Sequence, residues 1–225
     1  MILGLIPARA GSQRIENKNL INGPLFRGAV LISHTIEAAL GSRLDKVVVS
    51  TNDYPTFHNI SSDVDVRLRQ PHISGPDSPT EDTIAAIMDE YNPDICVLLQ
   101  LTSPLRTAQH IDEAIELLLD RQVDSVVSVS PFRGFTWREA GDTAVGSYDP
   151  HHRPMSQKQE IWKENGAIYV FTRRLWETSR TRVGGKVPLY HMDDSNGIEI
   201  DSPMDIALAE TAAAFVEGNV SSVRG

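Results

Sequence analysis

Cysteine is nearly absent: Cys96 is the only one in 225 residues, so no disulfide can form within the chain. Its place in the apolar run Ile95-Cys96-Val97-Leu98-Leu99 suits a buried core thiol and a reducing compartment, and the expected location is cytoplasmic. Long apolar runs are missing too. The N-terminal one is broken by Pro7 and Arg9, short of a signal-peptide core, and no later stretch approaches the roughly 20 residues of a spanning helix, so no membrane role is expected. Excess basic charge is lacking as well. A net charge of -9 argues against a broad nucleic-acid surface, so no nucleic acid is expected as a partner. Neither a Gly-x-x-x-x-Gly-Lys-Ser/Thr loop nor a Gly-x-Gly-x-x-Gly spacing occurs, and His151, His152 and His191 lack zinc-ligand spacing and a cysteine pair. No internal repeat or low-complexity segment is found.

What is present is 40% hydrophobic content, enough for a substantial core. One small-residue, basic stretch runs against the acidic trend. It extends from Ile6 to Leu20, contains Ala8, Arg9, Ala10, Gly11, Ser12, Gln13, Arg14, Lys18 and Asn19, and has Glu16 as its only acid. It follows an apolar strand, Met1 to Pro7, and small residues there allow an anion to approach the backbone. Phosphate is the expected ligand. By itself the stretch also reads as solvated charges around a turn at Gly11.

Further along, Val30 to Leu40 has helical spacing with Gly41 as a stop, and Lys46 to Thr51 is a β-branched strand. Val64 to Leu68 alternates as a short strand. Ser78-Pro79-Thr80-Glu81 has capping-box spacing ahead of a helix carrying Ile84, Ile87 and Met88. Asp94 to Leu101 reads as the central strand, Thr107 as the cap of the next helix, and Val123 to Ser130 as another strand. This alternation predicts an α/β fold with a mainly parallel sheet, helices on both faces and ligands beyond the carboxyl ends of the strands.

From about 131 to 164 the pattern breaks. Phe132, Phe135, Trp137, Tyr148 and Trp162 occur without a period, which predicts an irregular insert that covers a site, pairs with another subunit or packs on its own domain. Gly166 to Phe171 then reads as a strand, followed by a short helix near Arg174. Extended segments are expected around Val187 to His191 and Gly197 to Ile200, and a last helix at Ser202-Pro203. Asp205 falls in the first turn of that helix, where a carboxylate favours the helix dipole; a structural role is expected for it.

Two polar stations remain. In Gly197-Ile198-Glu199-Ile200-Asp201, strand alternation would turn both acids to one face, where they could hold Mg²⁺ shared with phosphates. The same residues also read as an edge strand with Asp201 helping to cap the helix at Ser202. Gln100 leaves the end of the central strand ahead of the polar turn Thr102-Ser103-Pro104, where a substrate would be oriented by hydrogen bonds.

Ile6 to Ser12 with Lys18-Asn19, Gln100 to Arg106, Glu164 to Tyr169 and Ile198 to Pro203 together resemble the CMP-sialic acid synthetases, the acylneuraminate cytidylyltransferases. The four motifs keep the family's order over nearly the whole chain. The resemblance implies a single nucleotidyltransferase domain over 1–225, Mg²⁺ as cofactor and a homodimer whose insert reaches the partner's site. It implies as substrates CTP and a 2-keto-3-deoxy nonulosonic acid sugar, with a CMP-sugar and pyrophosphate as products. Arg9, Ser12, Gln13 and Lys18, on a loop that includes Ala8, Ala10 and Gly11, match positions that hold the triphosphate. Asn19, Arg69 and Thr80 match positions near the cytosine. Gln100, Thr102, Ser103, Arg153, Lys163 and Tyr169 fall on the sugar side, and Glu199 with Asp201 on the metal pair. Arg9, Lys18 and Asp201 are the expected catalytic residues.

Three positions depart from the family pattern: Gln13 replaces a frequent lysine, Glu199 a more usual aspartate, and Lys163 an arginine that would grip a carboxylate bidentately. The segment Arg182 to Gly185 lacks aromatic residues that some sialic acid enzymes place near the sugar. Two rival functions remain at this level: activation of the eight-carbon sugar Kdo, and a non-catalytic nucleotide-binding module.

Overall fold

The computed structural model describes residues 1–11, 15, 18–20, 30–155 and 160–216. The apolar runs of the sequence become strands β1 (Ile2–Pro7), β2 (Lys46–Thr51), β3 (Asp65–Leu68), β4 (Ile95–Leu98) and β5 (Ser125–Pro131). A hairpin, β6 (Trp137–Ala140) and β7 (Thr143–Gly146), precedes the long β8 (Trp162–Thr172) and the short β9 (Leu189–His191). The helices are α1 (Leu31–Leu40), α2 (Tyr54–Phe57), α3 (Thr80–Tyr91), α4 (Ala108–Arg121), α5 (Arg173–Ser179) and α6 (Pro203–Val216). None is long and apolar enough to cross a membrane among the described residues.

Seven strands form one sheet in the order β3-β2-β1-β4-β8-β5-β9. All neighbours run parallel except β8, which lies antiparallel between β4 and β5. Because side chains alternate along a strand, each central strand feeds two cores. Val47, Val49, Ile95, Val97, Ile168 and Val170 pack with α1 and α4 on one face. Leu3, Leu5, Val48, Cys96, Leu98, Tyr169 and Phe171 pack with α3 and α5 on the other. The expected mainly parallel sheet with helices on both faces is therefore present.

Local expectations divide. Thr107 caps α4 as its sequence suggests, its hydroxyl accepting from His110 N at 3.3 Å while its own N–H donates to His110 Nδ1 at 3.2 Å. The capping box at Ser78 does not form. Pro79 occupies the cap position of α3 without a side-chain bond, and Glu81 pairs with Arg182 instead. The insert is more regular than its sequence indicates, since it holds the β6–β7 hairpin and β8 starts inside its expected limit at Trp162. Around it Phe135 and Tyr148 meet tilted at 4.6 Å, Trp137 meets Tyr148 edge-on at 5.8 Å, and the Arg153 guanidinium lies 4.8 Å over Phe135.

Candidate functional site

Strand order reverses at β1, with β2 on one side and β4 on the other, and such a switch point opens a crevice beyond the carboxyl ends of the strands. The antiparallel β8 adds its first half to that rim, because Tyr169 is in register with Leu98 and so Asn165 and Gly166 fall beyond the end of β4. A cleft of about 360 Å³ lies there. Pro7, Arg9, Lys18, Asn19, Thr80, Gln100, Leu101, Thr102, Glu199 and Asp201 line it.

The basic loop is tied to the end of β2. Ala8 N donates to Ser50 O and Ala10 N to Asn52 Oδ1, both at 2.8 Å, and Asn19 Nδ2 donates to Arg9 O at 2.9 Å. Ala8 is fully buried, while Ala10 and Gly11 line a small recess beside the cleft together with Arg9, Lys18 and Asn19. Gly11 has φ +80°, a backbone conformation that favours glycine. Ser12 and Gln13 lie outside the described residues.

Arg69 is buried beneath this loop. Its Nε donates to both the carbonyl and the hydroxyl of Ser50 at 3.2 Å, and its Nη2 has no partner among the described residues. Burial, and then the neighbouring Arg9 charge, push its pKa down to about 10. It remains a cation at neutral pH. An unpartnered guanidinium nitrogen beside a second arginine favours an incoming anion or carbonyl oxygen.

The acidic side is set by a short segment that is not a strand. One bond, Ile200 N to Thr102 O at 2.7 Å, fixes it against the turn after β4, with Ile200 fully buried. Glu199 and Asp201 consequently reach the same cleft, the shared face that alternation predicts, without the expected strand. Thr102 Oγ1 donates to Glu199 Oε1 at 3.3 Å, and Lys18 Nζ lies 3.0 Å from Asp201 Oδ1. Capping of α6 falls to another acid: Asp205 Oδ2 accepts from Asp201 N, Ser202 N and Ser202 Oγ at 3.0, 2.7 and 2.9 Å. Those bonds, with the Asp201 amide first, hold the Asp205 carboxyl below its ordinary pKa. The structural role expected for Asp205 is what the geometry gives, and the Asp201 carboxylate is left to face the cleft.

The floor is close-packed. Gly166 has φ +70°, and a Cβ there would stand 2.7 Å from Gln100 Oε1 and 3.1 Å from Glu199 Oε1, so both groups sit where only a glycine admits them. Asn165 anchors the turn through Ser128 Oγ, Ser130 Oγ and Ala167 N.

Four other expected sugar-side residues, Ser103, Tyr169, Lys163 and Arg153, are not among those that line the cleft. Ser103 is fully buried and donates to Asn165 O at 3.2 Å. Tyr169 is buried with its hydroxyl donating to Glu164 Oε2 at 2.9 Å, and burial followed by that bond pushes its pKa up to about 12. The Arg182 guanidinium covers its ring at 4.8 Å. Lys163 is exposed at the start of β8, and Arg153 is exposed in the insert. Among the motif residues with no individual role assigned from sequence, Pro7 and Leu101 line the cleft, and Gly166, Asn165 and Arg106 support it. Glycine inside an apolar strand is a signal of close approach that could have indicated Gly166; Arg106 carries no comparable signal.

No cluster of three or more His, Cys, Asp or Glu suited to a metal occurs among the described residues. Two carboxylates on one open cleft still fit Mg²⁺, which keeps water and substrate phosphates in its shell and needs only one or two protein oxygens.

The sequence profile described as cytidylyltransferase matches residues 3–213. The chain belongs to this family. Curated relatives are similar to it along most of its length. The N-acylneuraminate cytidylyltransferase of Oncorhynchus mykiss is 33% identical over 93% of this chain and 49% of its own. The CMP-N,N'-diacetyllegionaminic acid synthase of Legionella pneumophila subsp. pneumophila is 32% identical over 93% of this chain and 94% of its own. The chain spans about half the length of several curated relatives it matches and nearly all of the Legionella one. In fold it is similar to a CMP:2-keto-3-deoxy-manno-octonic acid synthetase solved with CTP, with a TM-score of 0.67 over 97% of this chain and 99% of that one at 17% identity.

Proposed function

We propose that this chain joins CTP to a 2-keto-3-deoxy nonulosonic acid, giving the CMP-sugar and pyrophosphate. The observation that carries this is the meeting, in one cleft of a cytidylyltransferase-family chain, of two cations from the N-terminal loop with two carboxylates from near residue 200. A triphosphate needs cations along its length, and a reaction at its α-phosphorus needs charge offset on both the attacking and leaving sides. The names of the relatives, which act on N-acylneuraminate or form CMP-N,N'-diacetyllegionaminic acid, support the sugar class.

In this reaction the anomeric hydroxyl oxygen bonds to the α-phosphorus as the bond from that phosphorus to the bridging β-phosphate oxygen breaks, the hydroxyl proton passing to solvent and pyrophosphate leaving. Arg9 and Lys18 hold the departing pyrophosphate by charge-assisted hydrogen bonds. Asn19, Arg69 and Thr80 lie toward the cytosine. Gln100, with its carboxamide against Gly166, and Thr102 orient the sugar from the opposite wall. No covalent enzyme intermediate is needed, and no histidine lines the cleft among the described residues. Glu199 and Asp201 would hold Mg²⁺, which when bound offsets phosphate charge and lowers the pKa of the attacking hydroxyl.

The insert is proposed to pair with a second copy and present Arg153 and Lys163 to the partner's sugar, within a single cytidylyltransferase domain working in the cytoplasm. Exposed Trp137, Met155 and Trp162 give that surface the aromatic and methionine content of an interface core.

Pyrophosphate release from each nucleoside triphosphate paired with sialic, legionaminic, pseudaminic acid or Kdo tests the function. Release is expected with CTP and a nonulosonic acid, and it should vanish in Asp201→Ala while circular dichroism is unchanged. CTP binding without release under any pairing would make the chain a nucleotide-binding module. Release confined to Kdo would assign it the eight-carbon sugar. A monomeric mass by light scattering at working concentration would remove the dimer.

A further inference from the structure

Arg106 is 3% exposed, and the hydrogen bonds of its guanidinium go to neutral groups. Nη1 donates to the carbonyls of Gln100, at 3.2 Å, and Ala167, while Nη2 donates to Thr35 Oγ1 on α1 at 2.9 Å. A buried cation without a carboxylate is an inefficient way to stabilise a core, because a well-packed apolar side chain of similar volume usually does as well or better. What this one does accomplish is geometric. A planar guanidinium presents several N–H groups in a fixed fork, so it can bind acceptors on separate segments at once, which an ammonium cannot match.

The two main-chain segments it joins form the cleft floor. One carries Gln100; the other places Gly166 immediately before Ala167. Gln100 Oε1 and Glu199 Oε1 already crowd the position a Gly166 Cβ would occupy, so a small slip of one segment against the other changes both. The same turn extends the tie to the carboxylate side: Ser103 N donates to Gln100 O at 3.3 Å and Ile200 N to Thr102 O at 2.7 Å.

We propose that Arg106 is a positioning residue for the cleft: by holding the Gln100 and Ala167 carbonyls together, it sets where the Gln100 carboxamide and the Glu199 carboxylate stand over Gly166. The kinetic part rests on the cytidylyltransfer reading above. The structural part does not.

Arg106→Lys keeps the charge and loses the fork. Hydrogen exchange followed by mass spectrometry should show faster exchange in the segments around 99–102 and 165–168, with β1 unchanged. In pyrophosphate release, kcat/KM for the sugar should fall by roughly 10- to 100-fold, the scale of a small misplacement of reacting groups, while CTP affinity measured by calorimetry stays close to wild type. Thr35→Val, which alters only the acceptor on α1, should act in the same direction by about fivefold, a smaller loss because both carbonyl bonds of Arg106 remain, and serves if Arg106→Lys does not fold. Unchanged exchange in both segments, or equal losses for CTP and sugar that track the fall in Tm, would overturn the proposal. If wild type releases no pyrophosphate with any sugar, the functional reading fails, and the exchange data alone decide the role of Arg106.

Discussion

Lys18 Nζ and Asp201 Oδ1 stand 3.0 Å apart, joining residues 183 positions apart in sequence across the mouth of the cleft. The lysine side chain is 9% exposed and the aspartate 44%, so the cation is fixed in place and the anion remains open to solvent. Substituting Lys18 by methionine should therefore affect ligand more than fold. CTP affinity is expected to fall by roughly 10- to 100-fold in calorimetry, the range for losing a hydrogen bond to a charged group, with Tm nearly unmoved because the aspartate left behind is half-exposed and stays hydrated. Unchanged affinity would remove Lys18 from the phosphate side.

Gly166 and Gly185 share a φ near +70° but differ in surroundings, since a Cβ at Gly185 meets nothing within 4 Å. Alanine at 185 should cost about 1–2 kcal/mol of backbone strain and leave turnover intact. Alanine at 166 incurs the same strain and also displaces Gln100 and Glu199, so pyrophosphate release should collapse. Thermal unfolding beside the release assay checks both, and an active Gly166→Ala enzyme would contradict the packing argument.

How much of this was legible beforehand depended on burial. Buried strands such as Lys46–Thr51 and Ile95–Leu98 declare themselves as continuous apolar runs, and the cap at Thr107 is a local signal. The hairpin at 137–146 was not legible, because its strands are largely exposed and carry little hydrophobic alternation. Nor was the place of β8 between β4 and β5, which is decided by distant partners. At the site, Arg9, Lys18, Asn19, Thr80, Gln100, Thr102, Glu199 and Asp201 were named from motifs and do share the cleft. Ser103 and Tyr169 are buried against distant partners that no motif encodes, Arg153 and Lys163 are exposed away from the cleft lining, and the hydrogen bonds of Arg106 to main-chain carbonyls have no sequence signature.

Asp205 gives a pH signature. Its carboxyl is held below its ordinary value near 3.8, first by the Asp201 amide and then by the Ser202 hydroxyl. The stabilisation is complete above that ordinary value and disappears as pH falls through the lower folded one. Asp205→Ala should be less stable by about 0.5–2 kcal/mol at neutral pH, the usual cost of a lost helix cap. Denaturant titrations of both proteins should converge below pH 4. A gap independent of pH would mean that the carboxylate charge is irrelevant.

Cys96 is fully buried on β4, and burial pushes its thiol pKa up. As the sole thiol, it should resist a chromogenic disulfide reagent in native buffer and react one per chain in denaturant. Prompt labelling of the native protein would show that the sheet centre opens far more readily than its packing implies.

The position of β8 bears on biosynthesis. A nascent chain that has emerged from the ribosome only through residue 146 already holds β4 and β5, yet the strand that separates them, Trp162–Thr172, has still to emerge. Until then each presents an unpaired hydrogen-bonding edge in what will become the middle of the sheet, the kind of edge that templates aggregation. Closing the middle of the sheet thus waits for Thr172 to emerge, and the interval before it is when a holding chaperone has most to protect.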